Sequence, residues 1–106
     1  MTKIRLAVPE TASAGEVIEI KTLIAHPMET GFRRDAVGKA IPRNIITDFL
    51  CLYNGEEIFR AAFHPAVAAN PYLTFYTTAT ESGELVFVWT DQYGERFSAS
   101  ATIAVE

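Results

Sequence analysis

One cysteine, two histidines and one tryptophan in 106 residues leave few of the side chains from which catalytic and metal centres are commonly built. Cys51 has no second cysteine to pair with, so no internal disulfide forms and the redox compartment cannot be read from it. Long apolar runs are also missing. None approaches the roughly 18 to 20 residues of a membrane-spanning helix, so no transmembrane helix, and a soluble chain, are expected. The stretch MTKIRLAVPETASAG has early basic residues but no apolar segment leading to a small-residue cleavage site, and no secretory signal is read from it. Basic residues are in the minority, nine Lys and Arg against thirteen Asp and Glu. The resulting net charge of −4 argues against nonspecific nucleic-acid binding, which depends on neutralising phosphates. There is no Gly-x-Ser-x-Gly elbow, no Gly-rich phosphate loop after a strand and no carboxylate pair brought together by spacing. Enzyme chemistry is therefore not expected, and no cofactor is called for.

What the chain does have is apolar material arranged with a period of two. Hydrophobic residues make up 49% of it and charged residues 21%, which suits one compact domain over residues 1–106. In the last segment, 95–105, Phe97, Ala99, Ala101, Ile103 and Val105 alternate with Arg96, Ser98, Ser100 and Thr102, as in an antiparallel strand covered on one side. ELVFVWTD, residues 84–91, precedes it across the turn-rich DQYG and predicts a hairpin. PYLTFYTTA is dense in aromatic and β-branched residues and reads as another strand. Two runs flank Asn54-Gly55, a pair that accepts positive φ at both positions and so predicts a second hairpin. EVIEIKTLIA and KIRLAV complete the set, the latter ended by Pro9. Helical spacing is limited to one turn at most in HPAVAAN. About seven short strands in this length predict an all-β, immunoglobulin-like antiparallel sandwich.

Residues His26 to Arg43 form the longest stretch without a strand pattern, and loops of that length in a compact domain are usually functional or disordered. His26, Met28, Cys51 and His64 are all of metal-ligand type, but their spacing matches no compact signature, so no metal site is assigned. The plainer reading is that each histidine satisfies loop backbone groups while the following proline stiffens the exit. Cys51 alternates with Phe49 and Tyr53 and is expected in the core. Arg33, Arg34, Lys39 and Arg43 outweigh Glu29 and Asp35, so residues 29–43 carry a net +2 on an acidic chain. Such a loop can steer an acidic partner or hold a small anion; a solvated loop with internal ion pairs is the plain alternative. ELVFVWTD is apolar on both faces, and Tyr72 and Tyr76 lie opposite Leu73 and Phe75, so a second apolar face needs a cover, either from loops or from another polypeptide.

The segments IKTLIAHPMETGFRRDAVGKAIPRNIITDFLCLYNGEEIF and HPAVAANPYLTFYTTATESGELVFVWTDQYGERFSASATI resemble the SoxZ family, with HPMETG, IPR, YNG, NPY and the late W-T-D as the most specific pieces. The resemblance implies a noncatalytic subunit of the SoxYZ carrier complex of thiosulfate and sulfur oxidation. Its partner would be a SoxY-like subunit whose C-terminal cysteine arm carries the sulfur intermediates, in a heterodimer or larger assembly. Transient contact with other Sox enzymes would follow, with no nucleic acid and no membrane. It also implies periplasmic residence, by export together with a signal-bearing SoxY. The alternative is a small metal-binding or anion-binding sandwich module. His26, Met28, Glu29, Arg33, Arg34, His64, Asn70, Tyr72 and Trp89 are the candidate partner-interaction residues.

Overall fold

The computed structural model describes residues 3–29, 31–32, 34–63 and 69–106. Eight strands follow in chain order: β1 (Ile4–Ala7), β2 (Thr11–Ala12), β3 (Val17–Ile24), β4 (Ile46–Tyr53), β5 (Glu56–Ala62), β6 (Tyr72–Thr78), β7 (Gly83–Asp91) and β8 (Arg96–Val105). They form a three-stranded sheet ordered β1-β3-β6 and a five-stranded sheet ordered β2-β8-β7-β4-β5. This is the expected immunoglobulin-like sandwich, and it is 58 Å long by 22 by 19 Å. The additional strand is β2. Its two residues are too few for periodicity to show, and they pair in parallel with the end of β8 after Pro9 has stopped β1 and let the chain change sheets.

The alternation in the sequence becomes the alternation of faces. In β3, Ile18, Ile20, Thr22 and Ile24 are buried, and in β7, Leu85, Phe87 and Trp89 are buried while Val86, Val88 and Thr90 are only partly covered. Phe49 on β4 sits at the centre, with ring centroids 5.0 Å from Trp89, 6.0 Å from Phe59, 6.0 Å from Phe75 and 6.3 Å from Phe87. Phe59 of the five-stranded sheet stacks on Phe75 of the three-stranded sheet at 4.3 Å and 5°, which joins the two layers. Offset and edge-on ring pairs of this kind add about 0.5–1.5 kcal/mol each beyond the area they bury.

One end of the sandwich is closed by the Asn54-Gly55 turn. Asn54 and Gly55 take φ of 49° and 84°, as the turn requires. Asn54 Oδ1 accepts from the Glu84 amide at 2.9 Å, and Asn54 Nδ2 donates to the Ser82 carbonyl at 3.3 Å. The Tyr53 hydroxyl lies beside them, bonded to the Glu81 carbonyl and accepting from the amides of Thr80 and Glu81. Gly83 is what makes room: a Cβ there would lie 1.7 Å from Asn54 Oδ1.

Gly83→Ala is therefore expected to displace the Asn54 amide and cost about 2–4 kcal/mol in urea unfolding. Combining it with Asn54→Gly, which removes the obstructing side chain, should cost clearly less than the sum of the two single changes. Strict additivity would show that the Asn54–Gly83 approach does not limit stability.

Candidate functional site

The described parts of three loops, 25–29 with 34–45, 69–71 and 91–95, meet at the other end of the sandwich. His26 is the hinge between two of them. Its backbone N–H donates to Asn70 Oδ1 at 2.9 Å, and the Asn70 amide returns a bond to the His26 carbonyl at 2.6 Å, with Asn70 held at a φ of 54°. The imidazole Nδ1 accepts from the Met28 amide at 3.0 Å, which assigns the ring proton of neutral His26 to Nε2. The plain reading of His26, as a ring that satisfies loop backbone, is what the structure has. Met28 is buried with a φ of 50°, and its sulfur accepts from the Ile46 amide at 3.2 Å.

From this anchor the chain leaves the sandwich as an arm. Glu29 and Asn44 exchange both backbone hydrogen bonds, at 2.8 and 2.7 Å, and Arg34 bridges to Ala40 further out. The stretch without strand periodicity is thus a narrow hairpin with two rungs. Gly31, at a φ of 91°, lets the limbs close: a Cβ there would sit 3.3 Å from that of Arg43. At the tip, Asp35 Oδ1 accepts from the amides of Val37 and Lys39, both at 3.0 Å, and the Gly38 amide donates to the Asp35 carbonyl. The β7–β8 turn repeats that geometry. Asp91 Oδ1 accepts from Tyr93 at 2.8 Å and Glu95 at 2.9 Å, and Gly94 has a φ of 84° against 83° for Gly38. The arm's return limb rests on this second turn, through the Tyr93 hydroxyl to the Arg43 carbonyl and the Gln92 amide to the Ile45 carbonyl at 3.0 Å.

The candidate residues divide by burial. His26, Met28 and Trp89 are 5%, 4% and 1% exposed, so their side chains hold the loop end from within and do not present contact surface to a partner. Arg34, Asn70 and Tyr72 are exposed, Glu29 is half-buried, and all four lie at this same end. Arg33 and His64 fall outside the described residues, as does most of the turn expected in HPAVAAN. Pattern reading missed Phe32 and Val37, which are 89% and 86% exposed on the arm. The signal was available: DAVGK repeats the spacing of DQYGE.

The ligand-type side chains among the described residues, His26, Met28 and Cys51, do not converge. His26 and Met28 are spent on backbone amides, and Cys51 lies in the core between β5 and β7. Among the described residues no group of three or more His, Cys, Asp and Glu gathers around one point. Among the described residues no helix is long and apolar enough to cross a membrane. A different surface is uncovered: Leu50, Leu52, Val86 and Val88 lie on the outer face of the five-stranded sheet, with Leu50 directly opposite Val88 and Leu52 opposite Val86. All four are only partly buried, and hydroxyl-bearing Ser98 and Ser100 flank them on β8.

An immunoglobulin-like β-sandwich with an open apolar sheet face and a hairpin arm is the class of protein these features define. The family described as sulphur oxidation protein SoxZ matches residues 4–102, and the chain belongs to that family. Its role is thus associated with the carrier machinery of sulfur oxidation. Comparison with curated protein sequences gives no match. Among solved structures, the sulfur carrier protein SoxY from Chlorobium limicola f thiosulfatophilum is similar at a TM-score of 0.69 and 14% identity, over 97% of this chain and 78% of that one. A superoxide reductase (neelaredoxin) from Ignicoccus hospitalis is similar at 0.70 and 21%, over 97% and 80%. The CARDB domain of a Pyrococcus furiosus protein is similar at 0.56 and 13%, over 100% and 88%. These likenesses are of fold.

Two outcomes follow from the local chemistry. Burial lowers the pKa of His26 from the ordinary 6.5, opposed in part by the carboxylates of Asp91 and Glu95. The unfolded chain then takes up its proton first, so this contribution to stability is complete above about pH 6.5 and declines as the pH falls toward the lower folded-state value. Urea midpoints should show that slope, and His26→Asn, which keeps an acceptor but does not titrate, should flatten it; an unchanged slope would assign the effect elsewhere. Burial also pushes the Cys51 thiol up to about 12. Native protein at pH 8 should therefore leave a thiol-reactive disulfide reagent unconsumed over the time in which denatured protein reacts fully.

Proposed function

We propose that this chain is a noncatalytic subunit of a SoxYZ-type carrier complex, and that it docks a SoxY-like subunit through the outer face of its five-stranded sheet. The observation that carries the docking site is the Leu50, Leu52, Val86 and Val88 cluster, four apolar side chains in register on a sheet face that the described residues leave open. Membership of the SoxZ family supports the partner, and the fold likeness to a SoxY supports two sandwiches meeting as similar bodies. A stable interface of this kind buries roughly 1,200–2,000 Å² in total. Four aliphatic residues supply its apolar centre, and Ser98, Ser100 and Arg60 lie at the rim.

In this reading the chain does no bond chemistry. The carrier thiol belongs to the partner's C-terminal arm. The chain braces the base of that arm while enzymes of thiosulfate oxidation load and process the bound sulfur. Periplasmic residence by export with the signal-bearing partner belongs to the same proposal, and deleting the partner's signal should retain both chains in the cytoplasm.

Co-expression with the SoxY-like subunit should give a co-purifying complex, and Leu50→Asp with Val88→Asp should weaken it at least about tenfold, because two charges would be desolvated without partners. Circular dichroism of the isolated variant should match the parent chain. A monodisperse monomer that ignores the partner would overturn the function. A double variant that binds undiminished would overturn the docking face.

A further inference from the structure

The arm of this 58 Å molecule and the end farthest from it carry opposite charge, while the β7–β8 turn beside the arm adds the carboxylates of Asp91 and Glu95. At the end closed by Asn54, Glu10, Glu16, Glu56, Glu81, Glu84 and Glu106 are all exposed, and the segments that form it, 8–16, 54–56, 79–84 and 105–106, contain no Lys, Arg or His. Backbone bonds fix several of these at that end: Ala79 N–H to the Glu16 carbonyl at 2.8 Å, Asn54 N–H to the Glu84 carbonyl at 2.9 Å, and Ala104 N–H to the Glu10 carbonyl at 2.9 Å. At the far end the arm, residues 29–43, carries a net +2 on a chain of −4. Among the described residues, no carboxylate lies within ion-pair distance of Arg34, Lys39 or Arg43; the ion pairs there are Glu19–Lys21 and Glu57–Arg60, both on the body.

The arm is also apolar where a solvated loop would be polar. Phe32 and Val37 are more exposed than any other large hydrophobic residue described. They are presented on a built scaffold, with the Asp35 turn at the tip, the Arg34–Ala40 and Glu29–Asn44 rungs behind it, and the Met28 and His26 bonds at the base. A hairpin fixed in this way loses little freedom on docking, so its exposed aromatic and aliphatic side chains contribute more of their burial to affinity.

We infer that the arm is a docking element for a client enzyme of the carrier complex, one whose surface presents a carboxylate-rich rim around a shallow apolar recess that receives Phe32 and Val37. The cations of the arm draw that rim in, and the acidic far end repels it, so encounters are oriented arm first. The apolar sheet face is left for the carrier subunit. This rests on the carrier-complex reading above, and it assigns to a different surface the transient contacts that follow permanent assembly.

The test uses the complete complex of this chain with its SoxY-like subunit and the purified thiosulfate-oxidising enzymes of the same cell. Two variants are built into the chain, Lys39→Glu with Arg43→Glu, and Phe32→Ser with Val37→Ser. Both should assemble with the SoxY-like subunit like the parent. The charge-reversed complex should lose about tenfold in kcat/KM with at least one enzyme, and it should lose the parent's fall in kcat/KM between about 50 and 500 mM salt. The apolar variant should raise KM and keep the salt dependence. Parent-like kcat/KM and salt dependence in assembled variant complexes would overturn the inference. So would failure of the arm variants to assemble, which would give the arm to the carrier subunit, or salt-reversible self-association of the parent chain, which would give it to a second copy. Failure of the parent complex to form at all would strike the underlying reading and not the arm.

Discussion

The stacking of Phe59 on Phe75 is the contact on which the rest of the architecture depends. It lies between an outer strand of one sheet and an outer strand of the other, and Phe49 couples it to Trp89 and Phe87 in the middle of the five-stranded layer. Aromatic rings from both layers fill the space between them, and the inward positions of β4 and β7 include Phe49, Tyr53, Leu85, Phe87 and Trp89, with Cys51 buried among them. The aliphatic residues at the alternate positions of the same strands are thereby turned outward. An apolar outer face is thus a direct consequence of a period of two imposed on strands whose residues are apolar at nearly every position.

The sandwich and its two hairpins were legible because strict alternation and an Asn-Gly pair are strong local signals, and the burial of Cys51 followed from the same alternation. What pattern could not show was how the ends are tied. The His26–Asn70 exchange joins residues 44 positions apart, and the Gly83 requirement comes from a side chain 29 residues earlier. Neither leaves a mark in local spacing. Trp89 illustrates the opposite error. A tryptophan in a strand with two apolar faces reads as equally suited to a core or to an interface, and only the register with Phe49 places it inside.

The arm was underestimated for a different reason. A sequence with proline, glycine and mixed charge reads as irregular, yet Asp35 and Gly38 build the same turn that Asp91 and Gly94 build between β7 and β8. One carboxylate oxygen holding two backbone amides is enough to order a tip whose flanking limbs have no alternation at all. Proline and charge on those limbs suit an element that projects from the body and must not recruit foreign strands along its length.

The position of Cys51 bears on chemical fidelity. In a protein of the sulfur-oxidation machinery, any accessible thiolate is a potential acceptor for a sulfane or sulfonate group meant for another residue. With its thiol pushed up to about 12 by burial and no exposed surface, Cys51 stays in the unreactive thiol form at neutral pH, opposite Phe59 and Phe87 on the neighbouring strands. The chain can stand beside reactive sulfur without becoming a side product of it.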